Sequence, residues 1–140
     1  MFQISRQIKF CYGHRLMNYR GKCRHLHGHN GRLIITLEAS GLDDRGMVLD
    51  FSEITRVVSS WIDDHLDHRM VLAEDDQIVK ILTDFGEPMF LMNVNPTAEN
   101  IAAYFHTELS AQLNSPGIRV HAVTLWETER ACVRYVEDQS

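Results

Sequence analysis

Hydrophobic and polar residues alternate in two segments near the beginning of the chain. The spacing in twos is regular over 31–39 and has one polar interruption over 2–10. It is typical of strands, because successive strand residues point to opposite faces of a sheet. The apolar positions are Phe2, Ile4, Ile8, Phe10, Leu33, Ile35 and Leu37. Two glycines and paired aspartates within 37–48 then predict a turn.

After Asp50 the pattern changes to the three-and-four spacing of an amphipathic helix. This spacing predicts one helix over 51–66 and a second over 98–113, with Thr97 as its N-cap behind Pro96. The apolar positions are Phe51, Ile54, Val57, Val58, Trp61, Ile62 and either His65 or Leu66 in the first helix, and Ile101, Ala102, Phe105 and Leu109 in the second.

The segment NSPG at 114–117 ends the second helix, and alternation resumes over 120–127 and 131–136. The element order is therefore strand, strand, helix, helix, strand, strand. This order predicts an α+β domain with an antiparallel sheet and helices on one face. Because so small a sheet leaves strand edges unpaired, we expect the chain to form oligomers through those edges.

Length and composition limit the class of protein. A chain of 140 residues with 44% hydrophobic and 24% charged residues suits one globular domain, expected to span 1–140. It contains no apolar segment of the roughly 20 residues that a membrane span requires, and its beginning lacks a signal-peptide core. Cys11, Cys23 and Cys132 have no CxxC spacing, which predicts reduced thiols. We expect a cytoplasmic protein with no membrane partner.

Charge is distributed unevenly along the chain. The net charge is −5, yet no acidic residue precedes Glu38. Half of the 14 basic residues lie before it, at Arg6, Lys9, Arg15, Arg20, Lys22, Arg24 and Arg32. Such a segment attracts anions, for example a small polyphosphate, although a solvated basic face would have the same composition. Nucleic acid is disfavoured, because the whole chain is acidic and has no recognisable groove-reading motif.

Four of the eight histidines lie within sixteen residues, at His14, His25, His27 and His29. In an extended backbone the imidazoles of HLHGH would share one face, and three histidines with an open fourth position are typical of catalytic zinc. Gly28 would let the backbone bend between two ligands. Spacing alone does not distinguish among the last three histidines, and His-rich tracts also occur as ordinary surface.

Five motifs occur together along the chain. They are FCYGH at 10–14, CRHLHGHN at 23–30, LDHR at 66–69, NPTAEN at 95–100 and WET at 126–128. In this order they resemble the 6-pyruvoyltetrahydropterin synthase and 6-carboxytetrahydropterin synthase family. The resemblance extends from Phe10 to about Tyr135, nearly the whole chain.

The resemblance implies that His14, His27 and His29 bind one zinc ion and that His25 is a spacer. It also implies the tunnelling fold, a four-stranded antiparallel sheet with two helices between the second and third strands. In that family three such sheets join into a barrel, and two barrels stack into a hexamer. The element order predicted from the residues agrees with this fold.

The resemblance further assigns Cys23 as the base that removes a proton from carbon. Lys22 and Arg24 flank this cysteine, and cationic neighbours favour a thiolate. The alternative is an inert structural thiol. Cys11 and Cys132 lie in strand patterns away from the histidine motif, and we expect them to affect stability more than rate.

Asp67 and His68 match a proton-relay pair of the family, in which the aspartate fixes the histidine tautomer. Otherwise His68 would be a helix C-terminal residue stabilised by the helix dipole. Glu127 matches a residue that anchors the pterin through two parallel hydrogen bonds and, in the bacterial branch, joins the charge relay. Without the resemblance it would be ordinary surface. Helix capping accounts for Thr97 and Glu99.

Two positions depart from the family pattern. Gly31 stands where an aromatic residue is frequent, and Tyr12 with Gly13 replaces a pair of small residues. Both departures could change which substrate is preferred. The short spacer between Cys23 and His27, with Leu26 before HGH, resembles the carboxy-forming branch.

That branch converts 7,8-dihydroneopterin triphosphate to 6-carboxy-5,6,7,8-tetrahydropterin on the route to queuosine, with loss of triphosphate and acetaldehyde. The resemblance thus implies a zinc-dependent lyase. One alternative is the pyruvoyl-forming reaction of the tetrahydrobiopterin route. Another is a non-catalytic, zinc-stabilised binding domain in which Cys23 closes the metal site as a fourth ligand.

Overall fold

The computed structural model describes residues 1–138, which form one six-stranded sheet and three α-helices. The strands are β1 (Phe2–His14), β2 (His27–Ala39), β3 (Arg69–Ala73), β4 (Met89–Met92), β5 (Ile118–Trp126) and β6 (Cys132–Val136). The helices are α1 (Phe51–His65), α2 (Ile78–Asp84) and α3 (Ala98–Leu113), and a 3-10 turn spans Lys22–Arg24.

The sheet is mixed, with the strand order β4-β3-β1-β2-β5-β6. β1, β2, β5 and β6 pair antiparallel, as predicted, whereas β3 pairs parallel to both β1 and β4. The prediction of a four-stranded, wholly antiparallel sheet is therefore wrong. The two added strands have only five and four residues, and an apolar run this short does not distinguish a strand from a buried helix segment.

The two predicted helices are present as α1 and α3, and α2 is an addition of seven residues between them. Side chains at both N-termini accept backbone hydrogen bonds that the first turn cannot satisfy internally. The Asp50 carboxylate accepts from Ser52 N at 2.8 Å, and the Thr97 hydroxyl accepts from Asn100 N at 3.1 Å. The N-cap role predicted for Thr97 is confirmed.

The core lies between one face of the sheet and helices α1 and α3. Its buried members include Ile8, Phe10, Tyr12, Leu33, Ile35, Leu37, Ile54, Val58, Trp61, Ile62, Ile101, Ala102, Phe105, Leu109, Val123 and Leu125. Phe2 and Phe51 belong to the predicted apolar stripes but are 48% and 49% exposed. Each is the first residue of its element, and both line one cavity.

Within the described chain, the edge of β1 is largely open, in addition to the outer edges of the terminal strands β4 and β6. β1 pairs with β3 only over residues 12–14, so residues 2–11 have a strand neighbour on one side. No helix in the described residues is long and apolar enough to cross a membrane.

Candidate metal centre and active site

The register of the β1–β2 hairpin brings the histidines together. His14 pairs directly with His27, and Tyr12 pairs with His29. Because alternate residues of a strand share a face, the three imidazoles converge at the end of the hairpin. Their ring centroids are 4.5–5.0 Å apart. Glu127 joins them because it follows the last residue of β5, the neighbour of β2.

Backbone carbonyls orient two of the imidazoles. His14 Nδ1 lies 2.8 Å from the Pro96 carbonyl, and His27 Nδ1 lies 2.7 Å from the His25 carbonyl. Since a carbonyl only accepts, each Nδ1 carries the hydrogen and each Nε2 points inward as a potential ligand. His25 itself is exposed and contributes its carbonyl rather than its ring.

The inward nitrogens and one carboxylate oxygen have the spacing of a metal site. Nε2 of His14 and Nε2 of His29 are 3.1 Å apart, and Glu127 Oε1 lies 3.2 and 2.9 Å from them. Ligand atoms around tetrahedral zinc are roughly 3.3 Å apart. His27 Nε2 is buried without a hydrogen-bond partner in the described chain, which is costly unless a ligand satisfies it. These four residues could therefore hold a metal ion such as zinc.

The protonation states also suit metal binding. Burial lowers the pKa of His29, the neighbouring histidines lower it further, and Glu127 acts in the opposite direction. The close contact with the His14 ring is the largest cause of a lowered pKa for Glu127, against the effect of burial. A neutral imidazole and a charged carboxylate are the forms that bind a metal.

The NPTAEN motif holds the loop that orients one imidazole of this centre. Asn95 Oδ1 accepts from Met17 N at 2.9 Å, and its Nδ2 donates to Met17 O at 3.0 Å. Asn100 Nδ2 donates to Asn95 O at 2.8 Å. These bonds hold the segment whose Pro96 carbonyl orients His14. Helix capping, which the sequence indicated, is only part of what the motif does.

The two departures from the family pattern are coupled in space. Tyr12 stacks on Phe10 with 5.3 Å between ring centroids and lies 5.6 Å from the His29 ring. A Cβ at Gly31 would lie only 3.1 Å from Tyr12 Cε1 and 3.2 Å from Phe10 Cε1. The tyrosine ring thus fills the space that a side chain at position 31 would need. The large ring at position 12 therefore explains why position 31 is a glycine.

A second cluster contains Asp67, His68 and Cys11. Cys11 N donates to Asp67 Oδ1 at 2.9 Å, and Asp67 Oδ2 lies 2.8 Å from His68 Nδ1. Partial burial raises the pKa of Asp67, but the hydrogen bonds from the Cys11 amide and the His68 imidazole together lower it more, so the net shift is downward. The sequence placed Cys11 in a strand away from the histidine motif and gave no sign that its Sγ lies 4.0 Å from His68 Nε2.

One cavity of about 740 Å³ connects the two clusters. His29 and Glu127 of the first cluster line it, as do all three residues of the second. Lys9 and Arg32 of the basic segment also line it. The cavity therefore combines potential metal ligands, a histidine–aspartate pair and positive charge.

Cys23 is placed differently from the other predicted catalytic residues. It lies in the 3-10 turn between β1 and β2, is partly buried, and its carbonyl accepts from Leu16 N at 2.8 Å. It is not among the residues that line the shared cavity. Within the described part of one chain, the cysteine that approaches His68 is Cys11.

Fold and site together define a class of small α+β proteins with three histidines gathered at the end of a β-hairpin, where they could hold a metal ion. Residues 3–138 match the family model described as 6-pyruvoyl tetrahydropterin synthase. The chain belongs to this family of pterin synthases.

Several relatives are described as 6-carboxy-5,6,7,8-tetrahydropterin synthase. The protein of Rickettsia bellii is 36% identical over 136 residues, covering 95% of this chain and 99% of its own. That of Rickettsia typhi is 38% identical with the same coverage. That of Haemophilus influenzae is 30% identical over 145 residues, covering 98% and 100%. The predicted relation to the bacterial branch is confirmed.

Solved structures share the fold. An uncharacterized protein of Wolinella succinogenes superposes with a TM-score of 0.85 at 27% identity, covering 98% of both chains. The 6-pyruvoyl tetrahydropterin synthase of Caenorhabditis elegans gives 0.72 at 24% identity, covering 98% of this chain and 96% of that one. The α+β family fold is thus confirmed, with the corrected sheet.

Proposed function

We propose that this chain is a zinc-dependent lyase that converts 7,8-dihydroneopterin triphosphate to 6-carboxy-5,6,7,8-tetrahydropterin, releasing triphosphate and acetaldehyde, in queuosine biosynthesis. The observation that carries the proposal is the convergence of three imidazoles and Glu127 beside a cavity that His29, Glu127, Asp67 and His68 line. The descriptions of the bacterial relatives support the carboxy-forming reaction.

A zinc ion held by His14, His27 and His29 would supply Lewis-acid chemistry to oxygens of the substrate side chain. The Asp67 carboxylate holds the proton on His68 Nδ1 and thereby directs Nε2 toward proton exchange in the cavity. Lys9 and Arg32 provide positive charge for the triphosphate.

Glu127 is proposed to anchor the amino-pyrimidinone edge of the pterin and to take part in the charge relay. It lies at the cavity wall beside His29. A carboxylate can accept two parallel N–H bonds from such an edge. The lowered pKa keeps it charged for this role.

Cys23 is proposed to reach the relay pair from a second copy of the chain, with the active sites between subunits of a hexamer. The open edge of β1 supports such an assembly. A patch of exposed apolar side chains supports it as well. The patch consists of Phe2, Leu42, Met47 and Phe51, which line one cavity and are 40–49% exposed.

The decisive test is incubation of the zinc-loaded protein with 7,8-dihydroneopterin triphosphate, followed by mass spectrometry of the pterin. We expect 6-carboxy-5,6,7,8-tetrahydropterin together with acetaldehyde. A 6-pyruvoyl product would instead identify the tetrahydrobiopterin reaction. Unchanged substrate with the zinc-loaded protein would overturn the enzyme proposal, and chelator-treated protein serves as the metal-free control.

Shared active sites have their own test. Cys23→Ala and His68→Ala are each expected to be inactive, so the two proteins are dissociated, mixed and reassembled. Recovery of activity in the mixture, but not in either protein alone, is expected if one copy supplies the thiol and another supplies the histidine. A monomer in light scattering at micromolar concentration would contradict the hexamer.

The second candidate is a non-catalytic, zinc-stabilised domain. In such a closed site Glu127, rather than Cys23, is placed to be the fourth ligand. Its Oε1 is close enough to the histidine nitrogens to act as the fourth ligand of a closed site. Cobalt-substituted protein separates the candidates. If addition of a pterin changes the visible cobalt spectrum, the centre has an open ligand position. If the pterin has no effect and only the Glu127→Gln substitution changes the spectrum, Glu127 closes the centre.

A further inference from the structure

Cys11, Asp67 and His68 each offer an atom of the kind that binds metals. These atoms lie within 4.8 Å of one another. Strand alternation puts Cys11 on the face of β1 opposite Tyr12 and His14. The cluster is therefore separate from the histidine centre, although both line the same cavity.

Hydrogen bonds hold the thiol and the imidazole against each other. His68 N donates to Cys11 O at 2.8 Å, so the backbones of the two residues are joined. The Asp67 carboxylate bridges the Cys11 amide and His68 Nδ1. A carboxylate on the far nitrogen of a histidine is a frequent outer partner of metal-binding imidazoles, because it leaves Nε2 as the ligand atom.

The spacing of the two inner atoms suits a thiophilic ion. With bonds of about 2.3 Å to sulfur and 2.0–2.1 Å to nitrogen, tetrahedral geometry separates the two ligand atoms by roughly 3.6 Å. Cys11 Sγ and His68 Nε2 are 4.0 Å apart, so a movement of a few tenths of an ångström is sufficient. The His68 side chain is 77% exposed, which gives an ion and its remaining water ligands access.

We propose that Cys11 and His68 bind a second divalent cation of the soft, thiolate-preferring kind, such as cadmium or excess zinc, with Asp67 orienting the ring. Occupation of this site blocks His68 Nε2. If the proposed function holds, the second ion therefore inhibits the enzyme, while the first ion in the histidine centre supports it. Binding of the second ion does not depend on the proposed function.

The experiment titrates cadmium chloride into protein that already contains one zinc per chain. Ultraviolet absorption of the cadmium–thiolate bond reports binding, and metal analysis of the same samples checks that zinc is retained. We expect one further equivalent of cadmium in the wild type, loss of the band in Cys11→Ser, and at least roughly tenfold weaker binding in His68→Gln.

Cys132→Ser is the matched control, since Cys132 pairs with Trp126 at the far edge of the sheet. It should retain the full band. Persistence of the band in Cys11→Ser, or its absence in the wild type, would overturn the second site. An activity assay in parallel should show cadmium inhibition of the wild type but not of Cys11→Ser. If cadmium binds at Cys11 without inhibiting, the blocking of His68 is wrong and the site stands.

Discussion

The histidine centre and the Cys11–Asp67–His68 cluster face one cavity but differ in how their side chains are held. In the histidine centre, His14 is 1% exposed, and its ring is fixed by a carbonyl from the loop before α3. In the second cluster, the His68 side chain is 77% exposed, and its contacts come from Asp67 and Cys11 alone among the described hydrogen bonds.

This difference indicates what each region can do unaided. The histidine centre has its potential ligand atoms, and carbonyl partners for His14 and His27, within one chain. The second cluster is supported on one side only, so the exposed face of the His68 ring is open to substrate, another copy or an ion. A buried, preorganised centre and an exposed, incomplete one are expected to respond differently to mutation.

The largest expected effect is loss of the metal. His27→Ala and His29→Ala should each lose the zinc, because an inward Nε2 disappears from a centre of three imidazoles. Metal analysis of purified protein measures this directly. His25→Ala is the control and should retain zinc, since only its carbonyl contacts His27. A full equivalent of zinc in both ligand variants would contradict the centre.

The next effect separates chemistry from metal binding. Cys23→Ala should retain zinc and fold but lose turnover by about 10²–10⁴-fold, the range typical of a missing general base. Cys11→Ala and Cys132→Ala should change stability more than rate. Steady-state assays with metal analysis of all three variants test this. Full activity in Cys23→Ala would exclude the thiol as the base.

A smaller effect is expected for the outer support of the histidine centre. Asn95→Ala should weaken zinc binding by about 10–100-fold, because the loop carrying the Pro96 carbonyl loses its bonds to Met17. Chelator competition measures the affinity. Asn114→Ala is a matched control, since its Oδ1 accepts from Val120 N at 2.7 Å in a distant turn. Equal zinc affinities in the two variants would show that the Asn95 loop does not support zinc binding.

The smallest effect concerns stability of the exposed cluster. Asp67→Asn should lower the free energy of unfolding by about 0.5–1.5 kcal/mol at neutral pH. The pKa of Asp67 is lowered from its ordinary 3.8, so its contribution is complete above that value and disappears as pH falls through the lowered pKa. Urea unfolding of metal-free protein at pH 7 and pH 3 tests this. If the difference in free energy of unfolding between wild type and Asp67→Asn were larger at pH 3 than at pH 7, the stabilising role of the charged Asp67 would be wrong.

The sequence by itself determined the elements that have a long period and the motifs that lie within them. Helix α3 has its predicted bounds and its Thr97 cap, and α1 differs by one residue, because several turns of apolar spacing average out local irregularity. The antiparallel strands were found for the same reason. β1 nevertheless extends four residues beyond its predicted end, through the motif that contains His14.

Tertiary structure decided the features that depend on contacts between distant segments. The short parallel strands β3 and β4 exist because β1 offers an edge, and their own residues carry too few repeats to reveal it. The β1–β2 register decided which histidines face His14, a question that HLHGH alone left open. The steric match of Tyr12 and Gly31 also depends on this register, because the two rows of side chains meet only after pairing.

The approach of Cys11 to His68 shows this dependence most directly. The two residues are 57 positions apart, and no local sequence pattern around either one indicates contact with the other. A reversal of the chain after α1 and one backbone hydrogen bond from His68 to Cys11 bring them together. Local sequence encodes periodicity and residue chemistry, whereas packing and strand pairing determine which of those chemistries become neighbours.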